Sequence, residues 1–130
     1  MKEAYEFLRK CGTFFLATEE DGQPRVRPFG ALSDFGGKLY IETNNQKKVY
    51  QQLIKNGKVE LCGMHEGKWL RLEGVVKEDT RREARVAMLE ENPSLKSLAT
   101  PDNGTMTVFY FESGTATVYS FTEEPKVIAL

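Results

Sequence analysis

Four cations crowd a short part of this 130-residue chain. Arg25 and Arg27 stand two apart in Arg25-Val26-Arg27-Pro28-Phe29-Gly30. Lys47 and Lys48 open a helical spacing after Leu39-Tyr40-Ile41-Glu42-Thr43-Asn44-Asn45-Gln46. Residues two apart in an extended segment share a face, and Pro28 biases Arg27 toward an extended backbone. Proline also removes a ladder donor, which suggests an edge or bulge where backbone groups can meet a ligand. Lysine in a first helical turn opposes the helix dipole at a cost of roughly 0.3–1 kcal/mol. A bound anion reverses that sign, because unpaired N–H groups at a helix start already form an anion site. Thr43, with Asn44 or Asn45, can cap the helix and donate to phosphate oxygens, and arginine adds a planar fork suited to them. The region reads as a phosphate cradle. The competing reading, an ordinary Asn45 cap among surface cations, uses the same residues and stays open on spacing alone.

Other residue types bear less directly on chemistry. Trp69 opens a strand at a turn, where its indole can cover the edge of a planar ligand or pack the end of a barrel. His65, the only histidine, precedes the same turn and is a candidate proton donor by its titration range. Glu42 alternates with Tyr40 and can point to either face. The basic run Arg81-Arg82 with Arg85 is balanced by neighbouring acids and reads as a solvated helix face. Cys11 and Cys62 belong to no Cys-x-x-Cys pair, and Cys62 is expected to face the core. One histidine and two cysteines make a zinc cluster of ordinary spacing hard to build.

These residues need a scaffold, and composition bounds it. The length fits one domain, 1–130, large enough to bury roughly two thirds of its unfolded surface. A net charge of −1 gives no bulk pull toward nucleic acid or an anionic membrane. No apolar run approaches the ~20 residues of a membrane span, and the start lacks a signal core. A cytoplasmic location is the expectation.

Apolar spacing predicts a helix over Lys2–Cys11 with Gly12 as its cap, then a buried strand over Thr13–Thr18. Asp21-Gly22 marks a hairpin turn into a strand that carries both arginines and runs to about Ser33. After Gly36-Gly37 comes a strand over Lys38–Thr43 and a helix from about Lys47 to Lys55. Strands follow at Lys58–His65 and Trp69–Val76, joined at Glu66-Gly67. Thr80-Arg81-Arg82-Glu83 has the form of a capping box for a helix ending near Glu91, with Pro93 beyond it. A short helical turn at Leu95 and Leu98 leads into a polar loop. A last hairpin, Thr107–Phe111 and Thr115–Phe121, turns at Ser113-Gly114, and the tail after Thr122 looks loosely held. Seven strands with short connections imply antiparallel pairing. The fold class is mainly β with peripheral helices, a small barrel. Phe109, Tyr110, Phe111, Tyr119 and Phe121 are expected at a homodimer interface.

Five segments then resemble a known family in order and spacing. They are Gln23–Phe29, Lys38–Asn44, Lys47-Lys48-Val49 with Leu53, Asn56–Leu61 and Trp69–Gly74. The family is that of the pyridoxamine-phosphate-oxidase-like FMN-binding split barrels. The resemblance implies an antiparallel split β-barrel of six strands, acting as a homodimer with one FMN at each end of the interface. It implies that Arg27 opens the flavin-contacting strand, and that Pro28, Phe29 and Gly30 offer backbone atoms to the isoalloxazine. Glu42 and Thr43 match the pair at the end of the next strand, with Thr43 near the phosphate. Lys47 and Lys48 match a phosphate-binding pair. Trp69 stands where the oxidase has a glutamine touching the ring, which leaves it a stacking or edge-packing role. With Arg25 and Asn44, these residues are the candidate cofactor site.

The end, Glu123–Leu130, has nothing like the arginine- and histidine-bearing segment that grips pyridoxal phosphate in the oxidases. Oxidation of pyridoxamine phosphate is therefore not expected, and length and compactness resemble the nitroimidazole-reductase and general-stress branches of the family. The expected function is an FMN-dependent oxidoreductase that reduces a small planar electron acceptor, nitroaromatic or quinone-like. Alternatives are a non-catalytic flavin- or tetrapyrrole-binding module and a deazaflavin-dependent reductase. No residue stands out as an obligatory catalytic acid or base.

Overall fold

The computed structural model describes all 130 residues. Helix α1 (Lys2–Cys11) leads into strands β1 (Phe14–Glu20), β2 (Gln23–Phe29), β3 (Leu32–Phe35) and β4 (Lys38–Asn44). Helix α2 (Lys48–Lys55) follows, then β5 (Lys58–His65), β6 (Lys68–Asp79) and α3 (Arg82–Glu91). A short 3-10 helix (Pro93–Ser97) connects to β7 (Met106–Tyr119) and β8 (Lys126–Ala129). The strands form one antiparallel sheet in the order β2-β1-β5-β6-β7-β4-β3, with β8 added to β7. β7 is shared: its first half pairs with β4 and its second half with β8, while β6 runs beside almost all of it.

The sheet curls around a core of 17 buried residues. Alternate residues on each strand supply it: Phe14 and Leu16, Leu39 and Ile41, Leu70 and Leu72, Phe109 and Phe111. Ala4 and Leu8 of α1, with Val49 and Leu53 of α2, close the open sides. A second cluster, including Tyr40, Val108, Ala84 and Met88, seats α3 on the opposite face of β4 and β7. No helix is long and apolar enough to cross a membrane.

Five expectations change. The arginine-bearing run does not continue to Ser33: it breaks at Gly30-Ala31, so β2 ends at Phe29 and β3 is a separate strand on the other edge of the sheet. Ser113-Gly114 is not a turn. β7 passes straight through it, and the pairing with β6 slips by one residue between Val75 and Val76. A β-bulge takes up the extra residue, and Gly74 and Gly114 face each other beside it. The tail after Thr122 is not loose, because Lys126–Ala129 pairs with β7. Phe109 and Phe111 are 1% and 4% exposed inside the chain's own core, so they cannot line an interface. Cys62 also faces away from the core, half-buried and paired with the exposed Phe15 and Arg71, while its neighbours Leu61 and Gly63 point inward.

Candidate functional site

The break between β2 and β3 creates a cavity of about 320 Å³. The end of β2 supplies Arg27, Pro28 and Phe29, and the break itself Gly30 and Ala31. The end of β4 adds Glu42 and Thr43, the head of α2 adds Lys47 and Val49, and the segment after α3 adds Asn92, Ser94 and Leu95.

Arg27 is held from behind. One terminal nitrogen donates to the Leu16 carbonyl at 3.0 Å and to Thr18 Oγ1 at 2.8 Å, and the other to Gln52 Oε1 at 2.6 Å. All three acceptors are neutral, so the half-buried guanidinium has no hydrogen-bonded carboxylate. Burial pulls it below its ordinary pKa, and neighbouring Arg25 adds to the effect. A desolvated cation whose nearest acid, Glu20, offsets its burial only in part favours an anion in the cavity it borders.

The head of α2 adds to this field. Lys47 is the N-cap residue, its side chain makes no cap, and the first turn has no acidic residue. Neither Lys47 nor Lys48 belongs to any of the chain's ion pairs. Thr43, Asn44 and Asn45 do not cap the helix as expected. Asn44 Oδ1 accepts from the Gln46 N–H at 2.7 Å, and Asn45 Nδ2 donates to the Gly104 carbonyl at 2.9 Å. Both asparagines thus shape the loop and leave the positive end of the helix uncompensated.

Seven of the eleven residues picked from sequence line this one cavity: Arg27, Pro28, Phe29, Gly30, Glu42, Thr43 and Lys47. Four do not. Arg25 turns to an ion pair with Glu20 at 3.2 Å, Asn44 belongs to the loop, and Lys48 projects into solvent. Trp69 stacks on Tyr119 with ring centres 5.7 Å apart and packs against Phe121 at 5.1 Å. That aromatic group lies on the sheet face across β6 and β7, away from the cavity. His65 is also elsewhere, edge-on to Phe7 of α1.

Asn92, Ser94 and Leu95 escaped the sequence reading. Asn92 is 8% exposed. Its amide donates to the Leu32 carbonyl at 2.7 Å and the Met88 carbonyl at 2.9 Å, and its oxygen accepts from Arg9 at 2.8 Å. These bonds fix the wall that carries Ser94 and Leu95. The available signal was Asn92-Pro93 just past a helix, where a buried side chain can satisfy the exiting backbone.

The residues fit a phosphorylated planar ligand. Two cations and a helix start suit the phosphate, and the backbone of Pro28–Gly30 can meet a ring. The volume is near the lower end of ligand pockets, roughly 300–1,000 Å³, so one chain encloses such a ligand only in part. A broader hollow of about 630 Å³ on the sheet face gathers Glu19, Glu60 and Glu73 with the single Lys58, a balance that repels phosphate.

The chain thus joins an antiparallel split-barrel sheet to a cationic cavity at a strand break, and the comparisons give this fold a family. A family model described as pyridoxamine 5'-phosphate oxidase matches residues 1–108; the chain belongs to that family. It is similar to a NimC/NimA family protein from Clostridium acetobutylicum, with 50% identity and a TM-score of 0.98 over 100% of this chain and 92% of that one. Two more distant structures share the fold. One is a pyridoxamine 5'-phosphate oxidase-related, FMN binding protein from Nostoc punctiforme (13% identity, TM-score 0.65, covering 99% and 94%). The other is a heme binding protein from Mycobacterium smegmatis (16% identity, TM-score 0.75, covering 97% of this chain and 57% of that one). No curated protein matches the chain.

Proposed function

We propose that the cavity at the β2–β3 break is an FMN site and that the protein is an FMN-dependent oxidoreductase acting on a small planar electron acceptor. The observation that carries this reading is the convergence of Arg27, Lys47 and the uncapped start of α2 on one cavity. A bound flavin supplies hydride or electron transfer. The chain's own residues bind and orient it: Lys47 and Arg27 hold the phosphate, Thr43 offers a hydroxyl, and Pro28–Gly30 present backbone to the ring. The Nostoc relative named as FMN binding supports flavin. The mycobacterial relative named as heme binding keeps tetrapyrrole as a second reading. Against it, His65, the only histidine, lies outside this cavity.

We further infer a homodimer that completes the site. The outer sheet face exposes Phe15 (50%), Met64 (63%) and Val26 (67%). These side chains sit in register with Ala17, Cys62, Trp69 and Tyr119, a continuous patch of the kind monomers rarely leave open. This patch replaces the buried pair Phe109 and Phe111 as the interface.

The deciding measurement is the visible spectrum of the protein as isolated, with the released chromophore weighed by mass spectrometry. FMN is expected, and a deazaflavin or a tetrapyrrole would be seen directly. The double variant Arg27→Ala, Lys47→Ala loses two charge-assisted contacts, each of about 1.5–3 kcal/mol. It is expected to retain less than about a tenth of the wild-type flavin. Full flavin content in that variant rules out the cradle. Turnover of the bound flavin with NADH or NADPH supports an enzyme, and none with either supports a binding module.

A further inference from the structure

Eight carboxylates of this chain are at least half withdrawn from solvent, and seven have partners. Glu19 accepts from Gly22 and Asn56, Glu20 from Arg25, Glu60 from Arg71, Glu78 from Tyr50, and Asp79 from Tyr40 and Arg81. Glu91 accepts from Tyr5 and the Asp34 N–H, and Asp34 faces Lys2. Glu42 alone has neither a hydrogen bond nor an ion pair, and it is the one that lines the cationic cavity.

An unpaired carboxylate there poses an electrostatic problem for the reading just given. A phosphate held by Lys47 and Arg27 shares its cavity with Glu42, and two anions in a partly desolvated space repel strongly. We propose that Glu42 makes ligand binding proton-coupled: its carboxyl takes up a proton as the FMN phosphate settles, and then donates a hydrogen bond to the ligand. The inference rests on the FMN reading and specifies the ligand further: an anion at the head of α2 and a hydrogen-bond acceptor beside β4.

The surroundings favour the neutral acid. Burial already pushes the Glu42 carboxyl up, and Lys47 only partly offsets it. The charged group that acts on it is Lys47 at the head of α2; Arg27 of β2 is the other charge lining the cavity. Across the ladder, β7 presents Thr107, Val108 and Phe109, none of which titrates. The wall after α3 presents Asn92, Ser94 and Leu95, which do not titrate either. No other acid in the cavity can supply the same linkage.

The test is calorimetric titration of the protein, freed of any bound flavin, with FMN at about pH 8, in two buffers of different ionisation enthalpy. A phosphate monoester has its second pKa near 6, so FMN arrives as the dianion and any proton uptake belongs to the protein. Uptake of up to one proton is expected, with affinity falling by up to about tenfold per pH unit as pH rises. Glu42→Gln should abolish the uptake, flatten the pH profile and bind FMN more tightly than wild type at pH 8. Glu42→Asp should keep the uptake, which separates titration from folding. Tight FMN binding by wild type without proton uptake, or uptake that persists in Glu42→Gln, overturns the proposal and leaves the FMN site standing. No FMN binding at any pH overturns both.

Discussion

Asp79 and Glu42 are both carboxylates drawn away from water near strand ends, and their circumstances are opposite. Asp79, 8% exposed, accepts from the Tyr40 hydroxyl at 2.7 Å, the Arg81 N–H at 3.0 Å and the Arg81 guanidinium at 2.9 Å. The guanidinium bond is the main reason its pKa is held down at about 2. Glu42 has none of these partners, and burial drives it the other way. A buried charge whose partners all come from its own chain serves the fold. One left without partners inside a cavity is a cost that a ligand can relieve.

The largest expected effect is therefore on stability and belongs to Asp79. Replacing it with alanine strands the buried Tyr40 hydroxyl and frees Arg81, which also caps the face of Phe35 at 5.3 Å. A loss of about 3 kcal/mol is expected in urea unfolding at neutral pH. The pH dependence follows with a definite sign. Folding lowers the Asp79 pKa from 3.8 to about 2, so its contribution is fully present above the unfolded value and fades as pH falls through that window. At roughly 1.4 kcal/mol per pKa unit, wild type should lose about 2 kcal/mol there. Asp79→Ala should show a correspondingly shallower acid limb, and an unchanged limb would remove Asp79 from the account.

The two carboxylates also mark what could be read from sequence. Turns were legible where glycine chemistry is local: Asp21-Gly22, Gly36-Gly37 and Glu66-Gly67 all contain positive-φ residues. Strand periodicity found β1, β4 and β5 because one face of each is buried. The cradle was legible because each of its two cations stands in a telling local context, Arg27 before a proline near the end of β2 and Lys47 at the head of α2. Ser113-Gly114 misled because a glycine required by tertiary contact resembles one required by a turn. A Cβ on the facing Gly74 would lie 2.2 Å from the Ser113 carbonyl oxygen, so backbone proximity, and no reversal, demands glycine at this point. The Thr80–Glu83 capping box failed for a related reason. Asp79 takes the Arg81 N–H, and the helix starts without a side-chain cap. Neither the partnering of Asp79 across 39 residues to Tyr40 nor the isolation of Glu42 leaves any trace in local spacing.

The smallest expected effect sharpens the contrast most. In the protein without ligand, Glu42→Gln removes a charge that nothing in the chain neutralises by contact. Because the folded pKa of Glu42 is raised, its linkage runs opposite to that of Asp79. The ionised form is disfavoured in the folded state, so wild type loses stability as pH rises through the folded value. Glutamine keeps the shape and escapes that penalty. At neutral pH the variant should match wild type or exceed it by a few tenths of a kcal/mol, within the ±0.5 kcal/mol of a neutral substitution. At about pH 3, well below the ordinary value of 4.5, the carboxyl is protonated in both states and any difference should vanish. Paired urea melts at the two pH values measure it. A clear destabilisation at neutral pH would mean that Glu42, like Asp79, is bound into the fold, and that the cavity holds no unpaired acid for a ligand to protonate.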